Sequence, residues 1–162
     1  MSKNLMMAFG IGIVCIAIAV AAIFYMQRGA HVDVHGSVLK VRTAPLDDNS
    51  SFVAIDFRAA NPADYNFMVR KVTVVLEDKN GRQTEGQTAT AEESARVLEG
   101  IPLLGPKYND VLVERDKIAP HSSLDRMVVA KFDVPDAQLQ SRKRFILRLE
   151  EVDGAVSEIS EK

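Results

Sequence analysis

Two histidines and an aspartate at the start of the polar part of the chain have the residue types and the spacing of metal ligands. His31, Asp33 and His35 alternate with Val32 and Val34. Side chains of a β-strand alternate between its two faces, so the three polar residues would share one face. Imidazole and carboxylate groups are ligands of transition metals. The pattern makes His31, Asp33 and His35 a candidate metal site. The alternative is the solvated face of a strand whose valines are buried.

Other arrangements in the sequence lack the partners that their chemistry requires. Ser122 and Ser123 adjoin His121, but neighbours in a turn do not form a nucleophile relay, and no glycine elbow surrounds them. The segment Asp78-Lys79-Asn80-Gly81 is similar to the start of a calcium loop, but it lacks the glycine at position six and the glutamate at position twelve. We therefore expect no enzymatic activity and no cofactor.

A long apolar segment precedes these residues. Residues 5–26 comprise 22 residues without Asp, Glu, Lys, Arg or His. As a helix this segment would be about 33 Å long, close to the ~30 Å hydrocarbon thickness of a bilayer. Tyr25 would lie at an interface, where aromatic rings are favourable. We expect residues 5–26 to cross a lipid bilayer once. The membrane-spanning residues would include Leu5, Ile13, Ala19 and Met26.

A cleaved signal peptide is the alternative interpretation of this segment. Lys3 forms a short positive region, and Ala19-Val20-Ala21 matches a cleavage site. Cleavage there would fall inside the apolar run, so an uncleaved anchor over residues 1–30 is the preferred interpretation. Lys3 and the amino terminus outweigh Arg28, which favours a cytoplasmic amino terminus and an extracytoplasmic domain. The predicted location is the cell membrane, with a single span.

The composition of the remaining chain describes one folded domain, residues 31–162. The whole chain has a net charge of −2, and without Lys3 and Arg28 the remainder carries 18 basic and 22 acidic residues. This balance lacks the electrostatic footprint of a nucleic-acid-binding protein. Cys15, the single cysteine, lies in the apolar segment, so residues 31–162 contain no disulfide.

Short alternating stretches separated by turn residues predict a β-structure for this domain. Residues 52–60 alternate, with Val53 and Ile55 on an apolar face, and end before Pro62, which cannot donate to a sheet ladder. The valine-rich residues 67–77 are expected to lie centrally. The Asn80-Gly81 pair that follows predicts a type I′ hairpin turn. Further strands are predicted near residues 38–41, 109–115, 124–134, 145–150 and 156–159.

One short helix interrupts the predicted strands. Thr90-Ala91-Glu92-Glu93 matches a capping box, and Gly100 suits the end of the helix. Ala91, Ala95 and Leu98 share a face, which we expect to pack over an end or edge of the sheets. Residues 101–106 follow as an apolar loop over the core. About seven to eight antiparallel strands with one short helix predict an all-β fold, an immunoglobulin-like sandwich of two sheets.

The order of these elements resembles the late-embryogenesis-abundant type 2 domain, also called the water stress and hypersensitive response domain. The resemblance rests on the strand at residues 52–60 with Asn61-Pro62, the valine-rich strand at residues 69–76 with its Asn80-Gly81 turn, and the strand at residues 127–134. It covers residues 36–152. It implies an immunoglobulin-like or fibronectin-III-like sandwich, a non-enzymatic role in stress tolerance or the cell envelope, and no catalytic residues.

These observations predict a membrane-anchored, extracytoplasmic β-sandwich that binds a protein partner or has a structural role. Partners would attach by pairing with an edge strand or through loops at an end of the sandwich, especially residues 101–106. The second hypothesis is an envelope enzyme or metal-binding protein that uses His31, Asp33 and His35. The third is a carrier of small ligands with a cavity between the sheets.

Overall fold

The computed structural model describes residue 10, residues 12–22 and residues 33–162 of the chain. The chain divides into two units, Met1–His31 and Val32–Lys162. All described residues of the first unit are helical and exposed, and this helix is called α1. The second unit contains the strands and the remaining helices.

The second unit is a β-sandwich, as the alternating pattern predicts. Its nine strands, several of them short, are β1 (His35–Pro45), β2 (Ser51–Asn61), β3 (Phe67–Glu77), β4 (Gln83–Glu85), β5 (Gln87–Thr88), β6 (Lys117–Ile118), β7 (Ser122–Phe132), β8 (Arg144–Glu151) and β9 (Val156–Ser160). Its helices are α2 (Ala91–Gly100), a 3₁₀ helix (Pro102–Leu104) and α3 (Asp136–Gln140).

The strands form two sheets, in which neighbouring strands pair antiparallel. Sheet 1 has the order β1-β2-β7-β5. Sheet 2 has the order β4-β3-β8-β9, and β6 also pairs with β3. Strand β3 therefore lies between neighbours on both sides, which confirms its predicted central place. One end of the sandwich contains the first residue of β1, and we call it the His35 end. The opposite end is the Pro45 end.

The main core lies between the two sheets, where alternate residues of every long strand point inward. On sheet 1 it includes the predicted apolar face of β2. Phe132 and Phe145 meet across the core, with ring centroids 5.8 Å apart. Leu139 of α3 is fully buried against the same cluster. Side chains of both sheets and of α3 therefore pack together in this part of the interior.

A second, smaller core lies on the outer face of sheet 1. Ala44, Ala54, Met127 and Val129 are buried there beneath Leu104 of the 3₁₀ helix. Helix α2 also packs on this face, and its residues Val97 and Leu98 contact the cluster. The prediction that α2 lies over an end or edge of the sheets is therefore wrong.

The side of α2 that is buried also differs from the prediction. Ser94 is the buried residue of the helix, whereas Ala91 and Ala95 are exposed. The predicted capping box is present: the amide of Glu93 donates to Thr90 Oγ1 at 3.3 Å, and the Thr90 amide donates to Glu93 Oε2 at 2.8 Å. The sequence thus locates the start of the helix correctly, whereas of the predicted face only Leu98 packs against the outer core.

Two local predictions in the hairpins and loops require correction. Asn80 does not have a positive φ, so the turn is not type I′; Gly81 alone adopts the left-handed conformation, at φ 80°. The Gly81 amide donates to the Asp78 carbonyl, and the Asp78 amide donates to the Arg82 carbonyl, which is the three-residue hairpin with a glycine bulge. Residues 109–115 form no strand, and only Val111 makes an isolated bridge, to Met127.

Candidate interaction site

Two of the three predicted metal ligands, Asp33 and His35, lie at the His35 end. His31 is outside the described residues, whereas Asp33 and His35 are both exposed. Val34 between them is buried, and its amide donates to Ser157 Oγ at 2.9 Å. The predicted alternation of buried valine and exposed polar residues is therefore present from Asp33 to His35. Among the described residues, no group of three or more His, Cys, Asp or Glu side chains has the arrangement of a metal site. Metal binding by His31, Asp33 and His35 stays a prediction.

Two of the four predicted membrane-spanning residues belong to the described part of α1. Ile13 and Ala19 are helical and exposed, and Leu5 and Met26 lie outside the described residues. No described helix is both long enough and apolar enough to cross a bilayer. The membrane anchor stays a prediction.

The polar candidates in the turns and loops make ordinary local contacts. Ser122 Oγ donates to the carbonyl of Ala119, and His121 Nε2 lies 2.7 Å from Asp64 Oδ1 on the surface. Neither contact joins a serine hydroxyl to an imidazole. In the described structure His121 and Ser122 therefore have separate partners.

A buried ion pair on the outer face of sheet 1 is the most unusual polar feature of the described residues. Arg42 Nη2 of β1 donates to Asp56 Oδ2 of β2 at 2.7 Å, and the two side chains are only 9% and 3% exposed. Asp56 Oδ1 accepts a further hydrogen bond from Asn109 Nδ2 at 2.9 Å. Burying two charges costs several kcal/mol per ion, and close pairing with further hydrogen bonds offsets this cost. An ion pair in this position needs a reason other than stability.

The hydrogen bonds of this pair hold one segment, residues 101–109, which we call the docking loop. Arg42 Nη1 donates to the carbonyls of Leu104 and Pro106, the latter at 2.8 Å. Asn109, which donates to Asp56, is the last residue of the same loop. Leu104 anchors the loop further because it is fully buried in the outer core. The ion pair therefore holds the backbone of the docking loop against the outer face of sheet 1.

The outward side of the docking loop carries large apolar side chains that face solvent. Leu103 is 74% exposed and Tyr108 is 55% exposed. The Tyr108 ring lies over the side chains of Lys40 and Arg42, with Lys40 Nζ 4.3 Å and Arg42 Cζ 4.8 Å from the ring centroid. Cation–π contacts of this kind restrain an aromatic ring. The loop thus presents Leu103 and Tyr108 in a fixed arrangement.

The docking loop does not lie where the sequence predicts. Residues 101–106 were expected over the main core or at an end of the sandwich, but they lie on the outer face of sheet 1. The sequence analysis missed Arg42, Asp56 and Asn109. A partial signal is Asp56 itself, which lies between Ala54 and Arg58 on the mixed face of a strand whose other face is apolar.

The edges of the two sheets are poorly suited to strand pairing. In β1 the pairing register shifts between Val38 and Lys40, and such a bulge with a lysine beside it protects an edge strand. The outer edge of β3 is covered in part by β4 and β6. Of the two modes of attachment expected from the sequence, loop-mediated binding fits this geometry better.

An open groove runs along the side of the sandwich between β3 and the segment that follows β4. Its volume is about 560 Å³, and its lining includes Val72 of β3, Thr88 of β5, Ala91 of α2 and the exposed Val113 and Glu114. Because it lies at the side of the sandwich and is bordered by exposed residues, it is not the cavity between the sheets that a small-ligand carrier would need.

Comparisons with known proteins identify no family for the chain. No protein-family model matches it, and no curated protein matches it. A crystal structure of an uncharacterised β-sandwich protein from Clostridium difficile 630 is 16% identical, with a TM-score of 0.35 and 82% of each chain covered. An X-ray structure of a target of the Northeast Structural Genomics Consortium is 14% identical, with a TM-score of 0.36, covering 82% of this chain and 81% of that chain. These similarities carry no inference about function, and the β-sandwich assignment rests on the sheets themselves.

Proposed function

We propose that the chain is a membrane-tethered, non-enzymatic β-sandwich module that binds a protein partner outside the cytoplasm. The tether would be residues 5–26. Its support is the uninterrupted apolar sequence, of which residues 12–22 are helical with every side chain exposed. Apolar surface of this kind is unfavourable in water and favourable in hydrocarbon. The asymmetry between Lys3 and Arg28 supports the extracytoplasmic side.

The docking loop is the observation that carries the binding role. Its backbone is held by the buried Arg42–Asp56 pair, and its outward side presents Leu103 and Tyr108. A preorganised surface loses little conformational entropy when a partner binds, and exposed aromatic and aliphatic anchors supply much of the binding energy of interfaces. A buried charge pair that costs free energy is reasonable where it positions such a loop.

The proposed family relationship is to the late-embryogenesis-abundant type 2 domains with an immunoglobulin-like sandwich. Strand order supports it: with β1, β2, β3, β5, β7, β8 and β9 as strands A to G, sheet 1 has the order ABED and sheet 2 contains CFG. The role implied by that relationship is structural or protective within the cell envelope, without turnover of a substrate.

Site-specific photo-crosslinking tests the binding role. A photoreactive phenylalanine analogue at Leu103 should give a discrete crosslinked species in cells that express the full chain, and the species should disappear when Tyr108→Ala is added. The same analogue at Val152, which is 53% exposed at the His35 end, is the matched control and should give none. Equal crosslinking from both positions, or none from Leu103, would contradict the proposed site.

Metal binding is the second candidate function. It is favoured by the arrangement of Asp33 and His35, whose side chains are exposed on either side of buried Val34. Metal analysis of the purified full chain tests it: a stoichiometric metal that is lost in His35→Ala would support this candidate, and a metal-free protein would exclude it.

A further inference from the structure

An open groove lies between β3 and the segments that cross from one sheet to the other, and we call it the side groove. One wall is formed where the chain leaves β4, at Glu85 and Gly86, and the opposite wall is formed by residues 112–114. The floor is the part of β3 between Val69 and Thr73. The side groove is distinct from the docking loop, with which it shares no lining residue.

A strand switch at Gly86 opens this groove. The Gly86 amide donates to the carbonyl of Val74 in sheet 2 at 2.8 Å, but the next residue, Gln87, already pairs with Lys131 in sheet 1. A Cβ atom at Gly86 would lie 2.6 Å from the Phe132 ring, so only glycine lets the backbone cross here. The edge of β3 is therefore left without a neighbouring strand between Val74 and Val69.

The chain returns to β3 at the other end of the groove. The Arg115 amide donates to the Val69 carbonyl at 2.7 Å, and the Val69 amide donates to the Asp116 carbonyl at 2.9 Å. Between these two crossings the Val72 carbonyl accepts a hydrogen bond from Thr88 Oγ1 at 3.1 Å. In an antiparallel sheet the amide and carbonyl of one residue point to the same side, so the Val72 amide also faces the groove.

The lining of the side groove contains two acidic side chains and one basic side chain. Glu85 and Glu114 are exposed on the two opposite walls, and Lys71 is the basic residue of the lining. Glu92 follows directly after Ala91 at the rim and is exposed. Glu85 also lies 3.7 Å from Arg148, an exposed contact that is worth little. Charge complementarity therefore favours a cationic occupant.

We propose that the side groove binds an extended, basic peptide segment. An apolar side chain of the segment would rest on Val72 and Leu112, and separate basic side chains would lie beside the carboxylates of Glu85 and Glu114 near the two ends of the groove. One peptide carbonyl would accept a hydrogen bond from the Val72 amide. The volume of about 560 Å³ accommodates a few residues, within the usual range of ligand sites. The gap in the β3 edge exposes the backbone groups of one residue, Val72. An added strand would need more exposed backbone groups than this, so the affinity would come from side-chain contacts.

Fluorescence anisotropy with a defined probe tests this proposal. The full chain in detergent micelles is titrated into a labelled nine-residue peptide of alternating lysine and valine, with alternating glutamate and valine as the control peptide. We expect saturable binding of the basic peptide only. Glu114→Lys should weaken it about tenfold because it reverses the charge of one wall. Glu99→Lys is the matched control variant, since Glu99 is exposed on α2 outside the groove lining, and it should leave binding unchanged.

Three results would overturn the proposal: no saturable binding of the basic peptide, equal binding of the acidic peptide, or equal weakening by Glu114→Lys and Glu99→Lys. The last result would mean that net charge, not the groove, attracts the peptide. Leu103→Asp in the docking loop should not alter this titration, so failure of the side groove and failure of the docking loop are distinguishable. Slower hydrogen exchange of the Val72 amide on peptide binding would locate the peptide on the groove floor.

Discussion

The outer faces of the two sheets differ in how far their charge pairs are exposed to solvent. On sheet 1, apolar side chains are covered by α2, the 3₁₀ helix and the docking loop, and one ion pair is buried beneath this cover. On the outer face of sheet 2, charged side chains of neighbouring strands pair with one another. The first face excludes water from a charge pair, and the second leaves its charge pairs partly or wholly solvated.

The ion pairs of sheet 2 also shield apolar residues. Val75 and Ile146 are cross-strand neighbours that point away from the main core, yet both are buried. Arg148 lies two residues after Ile146 and bonds to Glu158 at 2.8 Å and to Gln83 at 2.9 Å. Long charged side chains can cover apolar neighbours with their aliphatic parts while their charges stay in water.

The difference between the two faces shows which charges have a positioning role. The hydrogen bonds from Arg42 Nη1 end on the docking loop, whereas those from Arg148 end on its own sheet, at Glu158 of β9 and Gln83 of β4. Sheet 2 would keep its shape without its surface pairs. The docking loop would lose its support without Arg42 and Asp56.

The largest effect should follow from breaking the buried pair. Asp56→Ala leaves the Arg42 guanidinium buried without its carboxylate, so we expect the free energy of unfolding to fall by about 3–5 kcal/mol. Urea denaturation of the full chain, followed by circular dichroism, measures this loss. A loss below about 1 kcal/mol would mean that Arg42 is effectively solvated and would remove the contrast between the faces.

A double replacement of Arg42 and Asp56 separates the stability of the fold from the positioning of the docking loop. Arg42→Met with Asp56→Leu removes both charges and keeps apolar volume, so the free energy of unfolding should be close to that of the wild-type chain. The docking loop would still lose its hydrogen bonds at Leu104 and Pro106. Crosslinking from Leu103 should therefore weaken although the fold is intact.

Two adjacent leucines give the next prediction. Leu104→Ala opens a cavity in the outer core and should cost about 2–5 kcal/mol. Leu103→Ala removes an exposed side chain and should change the free energy of unfolding by no more than about 0.5 kcal/mol. The same urea titration measures both, and similar losses in the two variants would contradict the assignment of Leu103 to the outward side.

The exposed network of sheet 2 should be far less sensitive. Arg148→Ala removes contacts to Glu158 and Gln83 that solvent already screens, so we expect a loss of about 0–1 kcal/mol in the free energy of unfolding. The loss should shrink further in molar salt. A loss comparable to that of Asp56→Ala would show that the two faces do not differ in the way described.

The dependence of stability on pH tests the Glu77 carboxylate on sheet 2. Hydrogen bonds from Lys143 and Arg144, both at 2.6 Å, lower the pKa of Glu77 below its usual 4.5. A lowered folded-state pKa adds stability above the unfolded-state value, and this stability is lost as the pH falls through the folded-state pKa. Between pH 7 and pH 3, the urea midpoint should therefore fall less in Glu77→Gln than in the wild-type chain.

The sequence predicted the strands better than the segments that pack on them. The mixed face of β2 is visible in the alternation of Ala54, Asp56 and Arg58, but what covers it comes from α2 and the docking loop, some forty residues later. Arg42 and Asp56 are diagonal neighbours across the β1–β2 ladder, since Arg42 pairs with Ala54 and Lys40 with Asp56. That contact depends on the register, which includes a bulge that the sequence does not reveal.

The wrong local predictions have physical reasons of the same kind. Asp78 Oδ1 accepts hydrogen bonds from the amides of Asn80 and Arg82, which stabilises a turn in which Asn80 keeps a negative φ. Residues 109–115 alternate like a strand, but this segment crosses from β7 to β3 and bonds to each only briefly. The side-chain pattern of a segment indicates which of its residues are exposed. The path of the chain through the fold decides which strand its backbone bonds to.

Cysteine labelling in spheroplasts that express the full chain tests the central claim most directly. With Cys15 replaced by alanine, a single cysteine is placed at Leu103, and Leu104→Cys serves as the buried control. We expect a membrane-impermeant maleimide to modify the cysteine at position 103 before lysis, and not the cysteine at position 104. The protein should stay in the membrane fraction. Modification at position 103 only after lysis, or release of the protein from the membranes, would contradict a tethered module that presents its docking loop outside the cytoplasm.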